Sequence, residues 1–166
     1  ALTVGTDQPW YVSPSVTKVY GGNTPTAAEQ QDFIHNVVND VQHTFDASGL
    51  TGSNQVVLTT DPNAGARHTM SIASGLSYGP NPIAIGITDI GNNGFSFIDK
   101  LSYASTPQEL EWAVAHNITH ELMHAFGVAA HDDTTGNYLD AATANWNLLT
   151  SPDATLSQAA VNDVIG

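Results

Sequence analysis

Apolar side chains recur at helical spacing in two separate stretches of the chain. Phe33, Val37, Val41 and Phe45, flanked by Ile34 and Val38, repeat every four residues and so fall on one face of a helix. Ahead of them, Thr26-Ala27-Ala28-Glu29 is a capping box, in which the Thr hydroxyl and the Glu carboxylate satisfy free backbone N–H groups. Ser48-Gly49 stops the run, and the pattern predicts one amphipathic helix over residues 27 to 47. The second stretch opens on Thr106-Pro107-Gln108-Glu109, with proline at the first helical position, where its missing N–H costs nothing. Leu110, Val114, Ile118 and Leu122 then mark a buried stripe, and Gly127 is placed to leave the helix through a left-handed conformation. A third, shorter helix is expected after Thr155-Leu156-Ser157-Gln158, running to the C-terminus.

The remaining apolar runs are β-branched or aromatic and bounded by Gly, Pro and Asn. They predict strands at Ser15 to Tyr20, Gln55 to Thr60, Thr69 to Ala73, Pro82 to Thr88 and Phe95 to Ile98. The succession implies an α/β or α+β domain built on a single mixed, mainly parallel twisted sheet. At 166 residues and 41% hydrophobic, the chain suits one domain spanning 1–166. Residues 1–105 would supply most strands and a backing helix, and 106–166 the second long helix, a turn and the C-terminal helix.

Charge narrows the partners. Lys18, Arg67 and Lys100 oppose 16 acidic residues, for a formal net charge of −13, which repels phosphate backbones and anionic membranes. No apolar run approaches the roughly 18 residues of a membrane helix. A polar but weakly charged composition, with a chain beginning at Ala1, reads as the mature form of a secreted, extracellular bacterial protein. With no cysteine, any metal must be held by His, Asp or Glu.

Residues 116 to 133, HNITHELMHAFGVAAHDD, carry the chemistry. His120 and His124 stand four apart on one helical face and can aim both imidazoles at a single ion. Glu121 lies one step round the helix, within reach of a water at that ion without being a ligand. This is HExxH, the zinc-hydrolase arrangement with glutamate as general base. Such a pair also occurs as plain core or solvated surface; Gly127 and a further histidine argue for ligation. Zinc needs a third protein ligand, and no glutamate follows Glu121. The candidates are His131, Asp132, Asp133 and Asp140.

HELMHAFGVAAH resembles the zinc signature of the metzincin clan of metallopeptidases, HExxHxxGxxH. His120, Glu121, His124 and Gly127 match it position for position. The final histidine falls one residue late, because Ala130 occupies its place and His131 follows. A loop after a glycine absorbs one residue at modest entropic cost, so His131 is the expected third ligand and Asp132 the runner-up. The resemblance also implies a methionine-bearing turn beneath the metal. GNYLD, residues 136 to 140, falls where that turn is due, with Leu139 at the methionine position and Tyr138 beside the site. It further implies that helix 27–47 backs the site and that PIAIGITDIGNNGFSF contains an edge strand pairing with extended substrate.

His116 continues the histidine spacing, yet it lies about 12 Å along the axis from His124, too far to share its ion. Asp132, Asp133 and Asn137, around Gly136, offer oxygen ligands that calcium would accept, without the spacing of an EF-hand loop. Together these expectations describe a monomeric, secreted zinc endopeptidase of metzincin-like fold acting on protein or peptide substrates, with no nucleic-acid or membrane partner. The alternative is a zincin-fold module that holds metal with weak or no turnover and serves protein binding.

Overall fold

The computed structural model describes residues 2–166. Four strands form one mixed sheet: β1 (Thr3–Gln8), β2 (Met70–Tyr78), β3 (Gly86–Thr88) and β4 (Gly94–Phe97), in spatial order β1-β2-β4-β3. Five helices accompany it: α1 (Pro14–Val19), α2 (Ala27–Ala47), α3 (Pro107–Ala125), α4 (Trp146–Leu149) and α5 (Gln158–Ile165). The mixed α+β class is as expected.

The sheet is not mainly parallel. Of the three neighbouring pairs only β2 with β4 is parallel; β1 pairs with β2 and β3 with β4 antiparallel. The short turn between β3 and β4 leaves no room for the crossover that parallel neighbours need. Strand β4 then inserts between β2 and β3, leaving β3 at the sheet's edge.

Two further expectations fail. Ser15 to Tyr20 belongs to helix α1, not a strand, because Ser13 caps it by accepting the N–H of Ser15 and Pro14 occupies the first turn. Val16 is thereby buried completely. Gln55 to Thr60 has strand-like composition but finds no neighbouring strand to pair with. It runs along the surface, tied by the Gln42 side chain to the Val56 carbonyl at 3.1 Å, and leaves Val57 84% exposed.

The long helices form as their caps and periodicity dictate. Thr26 and Glu29 complete the capping box of α2, and Thr106 caps α3 by accepting from Glu109 N at 3.1 Å. Phe33, Val37, Val41 and Phe45 pack in one core with Leu110, Ala113, Val114 and Met123 of α3. Each such side chain contributes about 1.5–3 kcal/mol on burial. That cluster takes in residues from Val16 to Val161, drawing on both halves of the chain.

Helix α3 departs from a simple amphipathic pattern. Besides its apolar stripe, it buries Glu111, His116, Asn117, Thr119, Glu121 and His124. The sheet and α2 cover it on some sides, and the segment after Gly127 returns across another. Its polar face is therefore interior, where each polar group needs a partner.

Candidate metal centre

The centre is built where α3 ends. His120 and His124 lie one turn apart near its C-terminus, with Nε2 atoms 3.2 Å from each other. The helix then stops in a Schellman turn. Gly127 N–H donates to His124 O at 2.9 Å and Val128 N–H to Met123 O at 3.3 Å. Gly127 carries φ +103°, a conformation that a side chain disfavours. The reversed chain brings His131 back, its Nε2 3.2 Å from that of His124 and its ring stacked on His120 at a centroid separation of 5.2 Å. The one-residue offset is absorbed because residues 128 to 134 are irregular, so the side chain's direction is not bound to a helical or strand period.

Hydrogen bonds orient two of the rings. His124 Nδ1 bonds the Val128 carbonyl and His120 Nδ1 the Leu139 carbonyl, each at 2.6 Å. A carbonyl only accepts, so both Nδ1 atoms carry the proton and both Nε2 atoms present lone pairs. Burial lowers the pKa of all three histidines, with nearby rings adding to the effect on His124 and His131, which favours the neutral, ligating form. Lone pairs facing one another at 3.2 Å repel unless something positive lies between them. Tetrahedral zinc, with Zn–N bonds of about 2.0–2.1 Å, places its nitrogen ligands about 3.3 Å apart. The three histidines thus form a group that could hold a metal ion, and the donor set fits zinc.

Asp132 is not part of this group. Its carboxyl faces that of Asp163, and hydrogen bonding between the two raises its pKa. Asp133 and Asp140 are committed to holding the loop. Asp133 accepts from Thr135 N and Oγ1 and from Tyr138 N, and these bonds, the Thr135 hydroxyl foremost, lower its pKa. Asp140, fully buried, accepts from Asp133 N, Ser157 N and Ser157 Oγ, each at 2.8 Å. The oxygen-rich turn around Gly136 is accordingly organised by N–H and O–H donors, which take up the acceptors that calcium would use.

Glu121 stands beside the histidines. It is not one of the clustered donors: its Oε2 is 3.9 Å from His120 Nε2, while Oε1 accepts from Thr88 Oγ1 at 2.7 Å. Burial pushes the Glu121 pKa up. Thr88 ends β3, and β3 comes this close to α3 because Gly86 has no side chain. A Cβ there would meet the Phe95 carbonyl at 2.8 Å and Glu121 Cγ at 3.0 Å.

Leu139 is buried under the centre and packs into the core, while its carbonyl holds His120. Tyr138 lines the same cleft, 41% exposed. His116 lies outside the metal group: its Nδ1 bonds the Leu149 carbonyl at 2.5 Å. Thr88, the Val128 carbonyl and the anchoring role of Asp140 were not anticipated. Thr88 sat inside an expected strand with no chemical signal, and a backbone carbonyl carries none.

A cleft of about 580 Å³ opens beside the centre, with β3 and the segment before it on one side and residues 138 to 149 on the other. His131 is exposed and His120 partly so, which leaves the centre accessible from that cleft. No helix is long and apolar enough to cross a membrane among the described residues. Compared with known protein families, curated proteins and solved structures, the chain matches none.

Proposed function

We propose that this protein is a zinc-dependent endopeptidase with a metzincin-like catalytic arrangement, using His120, His124 and His131 as metal ligands and Glu121 as general base. The observation that carries the reading is the meeting of three imidazole rings beside a carboxylate that is outside their group, its Oε2 3.9 Å from His120 Nε2. Bound there, zinc supplies a Lewis acid that polarises a carbonyl and acidifies water. Glu121, its pKa raised by burial, takes a proton from the attacking water and returns one to the departing amine. Thr88 orients that carboxylate.

The substrate lies extended in the cleft. Strand β3 ends the sheet on this side and lines the cleft, so an added peptide strand suits it, in a mode that recognises main chain first. A polar, weakly charged composition supports a secreted location, and the proposed chemistry is complete within one copy of the chain.

The test is digestion of unfolded casein with and without chelator, beside Glu121→Gln. Cleavage that chelator abolishes, zinc restores and Glu121→Gln lacks while still holding zinc supports the reading. Stoichiometric zinc with no cleavage of any unfolded protein would convert it to a metal-holding binding module.

A further inference from the structure

One helical turn before the metal ligands, His116 and Asn117 line the same cleft. His116 is fully buried and Asn117 is 1% exposed. Since His116 Nδ1 donates to the Leu149 carbonyl, its Nε2 is a bare acceptor, and no group in the protein donates to it. The carboxamide oxygen of Asn117 likewise has no donor. Two buried acceptors without partners, on consecutive residues of α3 lining the cleft, His116 against Leu149 and Asn117 Oδ1 against Gly86, carry a desolvation cost that a bound donor reaching them would relieve.

The surroundings define the donor. The lining of the cleft includes Ile85, Ala142, Leu148 and Leu149 alongside Asn81, Thr143 and Asn145, and Glu121 is its only carboxylate. An ammonium or guanidinium group would lose its water there without a counter-charge of its own. A neutral donor on an apolar body fits, and a phenol offers one O–H for His116 Nε2 on such a body.

We infer that His116 and Asn117 form a specificity subsite for a tyrosine side chain of the substrate, with the ring between the apolar walls and the hydroxyl donating to His116 Nε2. This rests on the peptidase reading for its use, but the site itself can be tested without turnover.

Two measurements decide it. Cleavage-site mapping in a mixed peptide library, followed by kinetics on a matched pair, should show tyrosine preferred over phenylalanine roughly tenfold at one position flanking the cut. In His116→Phe the ratio should fall to about one. Independently, phenol added to the ¹⁵N-labelled full chain, with and without zinc, should shift the His116 Nε2 resonance upfield, and toluene should not. Cleavage without that preference, or a phenol titration that leaves His116 unmoved, overturns the subsite and leaves the peptidase reading standing. A phenol shift without cleavage of any peptide keeps the subsite and removes the peptidase. The titration needs only wild-type protein, so a variant that fails to fold does not block the answer.

Discussion

The hydroxyl of Thr88 lies 2.7 Å from Glu121 Oε1 and 3.1 Å from the Glu121 carbonyl oxygen, joining the sheet's edge strand to the helix that carries His120 and His124. The carboxylate beside the candidate metal therefore takes its orientation from the strand that would hold the substrate. In the proposed reaction, substrate contact and proton transfer would share one anchor.

Thr88→Val keeps the side-chain shape and removes the donor. Peptide hydrolysis should fall about tenfold in kcat with little change in KM, because the lost bond orients a group that acts in the transition state. Zinc content measured on the same preparation should stay near that of the wild type. A matching loss of zinc would show instead that the bond holds the helix end together.

His131 and Asp132 separate cleanly by affinity. His131→Ala should weaken zinc at least 100-fold in a competition titration with a chromogenic chelator, since two histidines alone leave a poor site. Asp132→Asn should change it by less than threefold, because that carboxyl faces Asp163 rather than the ligands.

Asp140→Ala removes a buried carboxylate that serves three donors, Asp133 N, Ser157 N and Ser157 Oγ. The donors left without partners should cost about 3 kcal/mol in urea unfolding. Zinc affinity should drop as well, since the ligand-bearing loop loses its tie.

Asp40 gives a pH test. Burial raises its pKa from 3.8 to about 6. A carboxyl whose folded pKa exceeds its unfolded value costs nothing while both states are protonated, and destabilises the fold as pH rises from about 4 through about 6. Asp40→Asn should therefore leave Tm unchanged near pH 3 and raise it at pH 7. Asp40 keeps partial contact with water, so screening reduces the gain to on the order of 1 kcal/mol, or about 2–4 °C in calorimetry.

What was legible in the sequence divides by range. Helices α2, α3 and α5 could be read because caps and periodicity are local, and His120, Glu121 and His124 because a helix converts spacing into geometry. His131 was readable despite its offset, since an irregular segment after Gly127 can aim a side chain freely. Helix α1 was not, because Val16, Thr17 and Val19 looked like a strand and masked the Ser13-Pro14 start. Strand direction was hidden for a different reason: β4 slots between β2 and β3, and no local signal encodes which strand becomes a neighbour. The same applies to Thr88, which only tertiary packing brings to Glu121, and to Leu139, whose carbonyl rather than its side chain orients His120.

Ser157, which caps α5, bonds the same carboxylate that holds Asp133, two residues past His131. Helix α5 adds nothing to the histidine group, yet it is wired to the loop that carries His131. A nick near residue 157 would loosen the loop that bears His131 from a distance, although no residue of α5 belongs to the histidine group.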